Sequence, residues 1–182
     1  MSQRSICVYC GSRAGARAAY ARAAEALGRG LAARGWRLVY GAGDVGLMGT
    51  VARAAQTAGG ETFGVIPTHL VAREVGKSDL GTYVVTETMH ERKKVMLMNA
   101  DAVVLLPGGA GSLDEFFEVL TWRQLGLHDK PIVAVNTEEY WAPLEALLLQ
   151  TVVEGFADRS LLDLFTFVPD PDAALSLLAT GN

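Results

Sequence analysis

The residues of this chain best suited to chemistry form a glycine-rich turn followed by a carboxylate. The turn, residues 107–112 (PGGAGS), follows an apolar run and precedes a helix-forming segment that carries Glu115. A strand, a bare-backbone turn and a helix N-terminus gather free N–H groups at the positive end of a helix dipole, which suits a phosphate or another anion. An anion holder gains little from a nearby carboxylate, so the pattern indicates a site that both binds and reacts. Asp114 and Glu115 have a second interpretation, because acids also stabilise the first turn of a helix.

A cationic pair lies at the start of another predicted helix. Arg92 and Lys93 fall in its first turn, after Met89, His90 and Glu91. The helix dipole disfavours cations there, so an anion that comes close is one explanation for the pair. A solvated charged helix face is the other interpretation, and it suffices for His90 and Glu91. Arg92 and Lys93 are therefore candidate site residues.

A second glycine turn, residues 41–49, matches the G-x-G-x-x-G pattern of dinucleotide-binding proteins. That pattern is followed about 20 residues later by an acid that holds a ribose, and residues 66–68 (IPT) stand there instead. The lysine of a nucleoside-triphosphate loop is missing too, since Leu47 occupies its place. The turn thus argues against an NAD-dependent oxidoreductase and against ATP or GTP hydrolysis. Its glycines, Gly43 among them, either form a wall of the same pocket or serve only helix–strand packing.

Short β-branched runs alternate with longer segments of helical periodicity along the chain. The alternation predicts a three-layer, Rossmann-like α/β fold: a doubly wound parallel sheet of about seven strands in a single domain, residues 1–182. In such a sheet ligands bind at the carboxyl ends of the strands, and four distinctive turns, beginning near Cys10, Gly41, Glu87 and Pro107, fall at that edge. A shared pocket is expected there. The predicted strands are residues 5–10, 36–40, 62–66, 83–86, 102–106, 132–135 and 166–168, and the predicted helices are residues 14–34, 46–58, 89–99, 112–125, 138–154 and 171–179.

Composition and charge exclude several classes of function. With 182 residues, 50% of them apolar, and a net charge of −4, the chain can form a full hydrophobic core and is unsuited to a broad electrostatic contact with nucleic acid or an anionic membrane. No apolar run approaches the roughly 18–20 residues that span a bilayer, so a cytoplasmic protein is expected.

Cys7 and Cys10 form a C-x-x-C at the end of a predicted strand, where buried thiols are expected rather than a redox pair. The three histidines are not spaced to complete a zinc site, so no metal is expected.

Two motifs taken together resemble those of a known family. Residues 107–115 (PGGAGSLDE) and 89–93 (MHERK) resemble the PGGxGTxxE and MHxRK signatures of the LOG (Lonely Guy) family of cytokinin riboside 5′-monophosphate phosphoribohydrolases. The likeness continues through Gly11 and Ser12 and covers nearly all of the chain. Ser112 is a departure, because the family usually carries threonine there, but it keeps the hydroxyl that can bond a phosphate.

The resemblance implies hydrolysis of the N-glycosidic bond of an adenosine-type 5′-monophosphate, without a cofactor, by a homodimer whose active site lies near the subunit interface. It also implies that Arg92 and Glu115 are the catalytic pair. Cleavage of a ribosyl bond builds positive charge on the sugar, and a carboxylate can stabilise that charge and activate the attacking water. The substrate contacts that the resemblance implies are Gly11, Ser12, Gly43, Glu74, Met89, Arg92, Lys93, Gly108, Gly109, Ala110, Gly111, Ser112, Asp114, Glu115 and Thr121.

One alternative from another class shares the fold: a non-catalytic carrier of a nucleotide or of the molybdenum cofactor. The presence of both Arg92 and Glu115 favours the enzyme, since a carrier of an anion gains nothing from a carboxylate. Lysine decarboxylase, an older label for such proteins, finds no support, because no lysine has a recognisable Schiff-base setting. The residues leave open whether the base is adenine or an N6-prenylated adenine.

Overall fold

The computed structural model describes residues 3–71 and 81–180. These residues form a sheet of seven parallel strands with helices packed against it. The strands are β1 Ser5–Tyr9, β2 Arg37–Tyr40, β3 Thr62–Pro67, β4 Thr82–Thr86, β5 Ala102–Leu105, β6 Ile132–Val135 and β7 Thr166–Val168. The helices are α1 Ala18–Ala33, α2 Gly46–Thr57, α3 Thr68–Val71, α4 Met89–Met98, α5 Ala110–Gln124, α6 Ala142–Val153 and α7 Pro171–Thr180. The order across the sheet is β4-β3-β2-β1-β5-β6-β7. The predicted Rossmann-like, doubly wound fold is confirmed, and each predicted strand lies within a residue of its observed bounds.

The central strands form because they are covered on both faces. Ile6 and Val8 of β1 belong to a core shared with α1, α2 and α7, whereas Cys7 and Tyr9 belong to a core shared with α4, α5 and α6. A near-continuous apolar run suits a strand buried in this way. The sheet is thus the middle layer of three. No helix within residues 3–71 and 81–180 is long and apolar enough to cross a membrane.

The two cysteines are free thiols on opposite faces of the sheet. Cys7 and Cys10 are both buried, and each belongs to a different core. This placement confirms the prediction of buried thiols. Burial raises the pKa of each thiol above its ordinary value, so both stay protonated at neutral pH.

Three helices, α1, α5 and α6, begin at residues other than those predicted from periodicity. α1 begins at Ala18 rather than at residue 14, and Gly15 has a positive φ of 75°, outside the helical region. Residues 11–17 are therefore a loop over the carboxyl edge of the sheet. α5 begins at Ala110, two residues earlier than predicted, so Gly111 is already helical. The glycine turn passes directly into the first turn of α5.

A 3₁₀ segment, Thr137–Glu139, delays the start of α6 to Ala142. The predicted helix start at residue 138 is therefore wrong. Two residues of this segment, Glu138 and Glu139, have positive φ angles of 54° and 57°. L residues adopt this conformation at a cost of about 1 kcal/mol or more.

Replacing Glu139 by glycine is expected to stabilise the protein by about 1 kcal/mol, because glycine adopts a positive φ without the clash of a Cβ atom. Urea unfolding followed by circular dichroism measures the change in the free energy of unfolding. Glu145→Gly, at an exposed position inside α6, is the matched control and should destabilise the protein by about 1 kcal/mol. A Glu139→Gly protein less stable than the wild type contradicts the assignment of strain.

The winding of the sheet reverses between β1 and β5. β2, β3 and β4 follow on one side of β1, and β6 and β7 follow on the far side of β5. Tyr9 pairs with Leu105, so the loops after these two strands start side by side. Gly11 N–H donates to the Pro107 carbonyl at 3.0 Å and joins the two loops. Open parallel sheets bind ligands at such a switch point.

Candidate active site

A cavity of about 650 Å³ opens between the loops that follow β1 and β5. The loop over residues 11–16 contributes to one wall, and the glycine turn over residues 107–112 contributes to another. This is the shared pocket at the carboxyl edge of the sheet. Eleven of the predicted site residues line it: Gly11, Ser12, Met89, Arg92, Gly108, Gly109, Ala110, Gly111, Ser112, Asp114 and Glu115.

The N-terminus of α5 has free hydrogen-bond donors at this cavity. The first bond inside the helix runs from Leu113 N–H to the Gly109 carbonyl at 3.1 Å. The N–H groups of Ala110, Gly111 and Ser112 precede it, and none has an acceptor in the described part of the chain. Gly109 supplies no side-chain cap, and a Cβ atom on it would meet no atom within 4 Å. An anion can therefore approach three free N–H groups at the positive end of a helix dipole.

The N-terminus of α2, by contrast, is filled by the protein itself. The Gly11 carbonyl accepts hydrogen bonds from Leu47 N–H at 3.0 Å and from Met48 N–H at 3.3 Å. Gly46 permits this approach, since its φ is 62° and a Cβ atom on it would overlap the backbone of Ser12. Of the two glycine turns, the one before α5 is therefore the open anion site. Gly46 in the G-x-G-x-x-G turn serves close packing.

Arg92 is buried and fixed by two backbone carbonyls, one in β3 and one in the turn that follows β2. Its Nε donates to the Val65 carbonyl at 3.1 Å, and its Nη2 donates to the Gly41 carbonyl at 2.9 Å. Only 4% of the residue is exposed. A Cβ atom on Gly41 would overlap the guanidinium group, so this glycine is required to admit the arginine. Arg92 thus brings a fixed positive charge to the wall of the cavity.

Glu115 is the buried acid of the cavity, with 8% of its surface exposed. Burial raises the pKa of its carboxyl from 4.5 to about 7, although the positive charge of Arg92 lowers it, and the negative charge of Asp114 adds to the rise. Near neutral pH this carboxyl therefore exists in both protonation states. A pKa close to the working pH is the property that a general base requires.

Lys93 joins α4 to α5 through two ion pairs. Its Nζ lies 2.9 Å from Asp114 Oδ2 and 2.9 Å from Glu118 Oε2. Burial alone would lower the pKa of Lys93, but its hydrogen bonds to the two carboxylates outweigh burial and raise the pKa above its ordinary value. The side chain lies beside the cavity rather than in its lining. There it fixes α4, which carries Arg92, against α5, which carries Glu115.

Glu115→Gln is expected to stabilise the protein by about 3 kcal/mol at pH 8, from a pKa that burial raises from 4.5 to about 7. Because the folded state holds this proton more tightly than the unfolded chain, the contribution of protonated Glu115 to the stability of the wild type is full below about pH 4.5 and is lost as the pH rises through about 7. The gain from glutamine is therefore small at low pH and full above about pH 7. Glutamine removes the cost of burying the charge. Urea unfolding at about pH 5 and about pH 8 measures the difference.

The matched control for this stability measurement is Glu145→Gln, which changes an exposed carboxyl on α6. The control should leave the pH dependence of the free energy of unfolding as it is in the wild type. If Glu115→Gln changes that free energy by the same amount at both pH values, the raised pKa of Glu115 is contradicted.

Four predicted site residues lie elsewhere. Gly43 is buried and donates its N–H to Met48 Sδ at 3.1 Å. Thr121 is exposed on α5, and Lys93 lies beside the cavity. Glu74 falls outside the described residues. The roles of these four residues in binding stay predictions, as do those of the eleven residues that line the cavity.

Two tyrosines that the sequence reasoning missed also line the cavity. The Tyr140 hydroxyl donates to the Gly108 carbonyl at 2.6 Å. Its ring meets that of Tyr20 edge to face, with 5.4 Å between the ring centroids. Tyr140 belongs to no motif, but it follows β6, the neighbour of β5, by only a few residues. Its position after a strand that adjoins the switch point is the signal that could have found it.

The fold and the site together define a class: a Rossmann-like α/β protein with an open helix N-terminus and a buried carboxyl at the switch point of its sheet. A family model described as "Possible lysine decarboxylase" matches residues 48–178. The chain is 46% identical to the probable cytokinin riboside 5′-monophosphate phosphoribohydrolase LOGL9 of Oryza sativa subsp. japonica, over 92% of this chain and 74% of that protein. It is 40% identical to the cytokinin riboside 5′-monophosphate phosphoribohydrolase LOG5 of Arabidopsis thaliana, over 92% of this chain and 73% of that protein. The chain belongs to the LOG family.

Solved structures of a molybdenum cofactor binding protein and of a Moco carrier protein share the architecture. The molybdenum cofactor binding protein of Rippkaea orientalis superposes with a TM-score of 0.75 at 22% identity, over 99% of this chain and 98% of that one. The Moco carrier protein of Chlamydomonas reinhardtii superposes with a TM-score of 0.74 at 22% identity, over 98% of this chain and 96% of that one. At this level of identity the likeness shows the fold alone.

Proposed function

We propose that this protein hydrolyses the N-glycosidic bond of N6-modified adenosine 5′-monophosphates and releases a free base and ribose 5-phosphate. One observation carries the proposal: a single helix, α5, combines an open N-terminus with a buried carboxyl, Glu115, whose pKa is about 7. The LOGL9 and LOG5 relatives support it, because their names state this activity and each match covers 92% of the chain.

In the proposed complex the 5′-phosphate binds at the N-terminus of α5. It accepts hydrogen bonds from the free N–H groups of Ala110, Gly111 and Ser112, and the Ser112 hydroxyl is a further donor at the same turn. Glu115 lies about 5 Å further along the helix axis than Ser112. This rise is comparable to the span between a 5′-phosphate and the sugar carbon that bears the base. A phosphate held at the turn therefore places the glycosidic bond near Glu115.

The carboxylate form of Glu115 is the reactive one. It accepts a proton from a water molecule whose oxygen forms a bond to the anomeric carbon. The bond from that carbon to the base nitrogen breaks, its electron pair leaves with the base, and the base takes a proton from solvent. The negative charge of Glu115 also stabilises the positive charge that builds on the ribosyl group.

Arg92 acts on Glu115 through its charge. Its hydrogen bonds to two backbone carbonyls hold the guanidinium in place. Its positive charge opposes the effect of burial and lowers the pKa of Glu115. In the proposed mechanism Arg92 thus keeps a larger fraction of Glu115 ionised at neutral pH. Lysine decarboxylation is not supported, since no lysine is among the described residues that line the cavity.

The proposal is tested by incubating the protein with AMP and with N6-isopentenyl-AMP and measuring free base and ribose 5-phosphate by chromatography. Release from the prenylated nucleotide in preference to AMP supports a role in hormone activation, and release from AMP alone supports nucleotide salvage. Release from neither supports the alternative, a non-catalytic carrier on the same fold. The fold is compatible with that alternative, since proteins described as a molybdenum cofactor binding protein and a Moco carrier protein share it.

We also propose that the protein acts as a homodimer. Large apolar side chains are exposed at the ends of α4 and α5: Met98 is 70% exposed, and Leu125 and Leu127 are 68% and 69% exposed. A second copy of the chain would remove this apolar surface from water. Light scattering after size-exclusion chromatography measures the mass, and a monomer contradicts the proposal. A cytoplasmic location stays a prediction.

A further inference from the structure

The peptide that joins Gly108 to Gly109 has more rotational freedom than an ordinary peptide, because both residues lack a Cβ atom. A trans peptide points its C=O and N–H groups in opposite directions. Half a turn of this peptide would therefore put a carbonyl oxygen where an N–H donor had been. At an anion site such a rotation replaces attraction by repulsion. A protein that binds phosphate here needs a group that fixes the peptide.

The carbonyl groups of the turn are fixed from two sides. The Pro107 carbonyl accepts a hydrogen bond from Gly11 N–H at 3.0 Å, in the loop after β1. The next carbonyl, of Gly108, accepts one from the Tyr140 hydroxyl at 2.6 Å, in the segment after β6. With both carbonyls bonded, the N–H groups of Gly108 and Gly109 point away from these partners.

Tyr140 itself is held in place by its neighbours. The preceding residues, Glu138 and Glu139, both have positive φ angles, and a backbone of this kind persists only where the surrounding structure fixes it. The ring of Tyr140 packs edge to face on Tyr20 and on Trp141, at 5.4 Å and 4.7 Å between ring centroids. The hydroxyl is therefore aimed at the turn by a supported ring.

We infer that Tyr140 is a positioning residue whose hydroxyl holds the Gly108–Gly109 peptide in the orientation that accepts a phosphate. The inference rests on the proposed function, because it concerns the site assigned to the 5′-phosphate. It concerns binding only: Tyr140 selects phosphorylated ligands by keeping a carbonyl oxygen turned away from the anion.

Tyr140→Phe tests this role, because it removes the hydroxyl and keeps the ring. The Kd for N6-isopentenyl-AMP should rise by about 2- to 10-fold, the range of one lost hydrogen bond. The Kd for the corresponding nucleoside, which has no phosphate, should not change. In steady state KM should rise for the monophosphate while kcat stays close to that of the wild type. Isothermal titration calorimetry with both ligands, and with inorganic phosphate, provides the binding constants; it is run in the Glu115→Gln background so that the monophosphate is not cleaved during the titration.

Tyr83→Phe is the matched control. It makes the same change on β4, at the edge of the sheet and away from the described residues that line the cavity. In this control the ratio of the Kd for N6-isopentenyl-AMP to the Kd for the corresponding nucleoside should therefore equal that of the wild type. Equal weakening of both ligands by Tyr140→Phe, or no weakening of either, overturns the inference.

The inference and the proposed function can fail separately. If the wild type binds N6-isopentenyl-AMP without cleaving it, the proposed function fails, and the Kd ratio in Tyr140→Phe still decides the inference. If the wild type cleaves the nucleotide and Tyr140→Phe binds both ligands as the wild type does, only the inference fails. A wild type that binds no monophosphate overturns both.

Discussion

Glu115→Gln is expected to lower kcat by about 10²- to 10⁴-fold, the range for loss of a general base. Glutamine keeps the size of the side chain, but it neither accepts a proton from water nor carries the negative charge that stabilises the ribosyl group. Binding should be retained, because the phosphate is held by N–H groups one turn earlier on α5. The Kd for the nucleoside monophosphate is therefore expected to stay close to the wild-type value.

Single-turnover release of the base measures the chemical step of this variant, and calorimetry on the same sample measures binding. Glu145→Gln is the matched control, since it makes the same change at an exposed site on α6. The control should retain wild-type turnover. Turnover of Glu115→Gln within tenfold of the wild type contradicts the role of Glu115 as the base, and loss of binding contradicts the separation of binding from reaction.

Arg92→Gln is expected to move the rising limb of the pH profile of kcat to higher pH and to lower turnover at pH 7 by about fivefold or more. Arg92 lowers the pKa of Glu115 below the value that burial alone would give. Without that charge the pKa rises above about 7; at pH 7 the first unit of rise reduces the ionised fraction by about fivefold, and each further unit reduces it by about tenfold. Since a base acts in its ionised form, the activity should recover as the pH is raised.

The measurement is kcat from about pH 5 to about pH 9, with wild type and variants side by side. Arg92→Lys keeps the positive charge and loses the forked contact with Val65 and Gly41, so its limb should stay closer to that of the wild type. Gly41→Ala displaces the guanidinium without removing its charge, because the added Cβ atom overlaps it. A limb that stays near pH 7 in Arg92→Gln contradicts the proposed action of Arg92 on Glu115.

The strands and the glycine turn before α5 could be predicted from the sequence, because their causes are local. A strand buried on both faces is a short apolar run wherever it occurs. Gly108 and Gly109 end such a run, and the start of a helix follows within two residues. Arg92 and Glu115 each lie in the early turns of the helix that follows a strand, α4 after β4 and α5 after β5. The fold class alone therefore brings them to one edge of the sheet.

The features that the sequence did not reveal depend on contacts between distant segments. Both glycine turns have the composition of an anion site, and only the Gly11 carbonyl at the N-terminus of α2 distinguishes the filled turn from the open one. In the sequence Gly41 matches the first glycine of a dinucleotide-binding pattern, whereas in the structure its lack of a Cβ atom leaves space for the Arg92 guanidinium. Tyr140 reaches the turn through backbone angles at Glu139 that glutamate rarely adopts, so propensity predicted a helix there instead.

The hydrogen bonds of Gly11 link the activity of this protein to the docking of the two halves of its sheet. Its carbonyl accepts from the amides of α2, which belongs to the half of the sheet wound from β1 to β4, and its N–H donates to Pro107, at the start of the other half. The site exists only while both halves are docked, so partly unfolded forms are inactive. The Gly11 amide should exchange with deuterium only through openings that separate the two halves of the sheet. A nucleotide bound here would slow that exchange on both sides of the switch point at once.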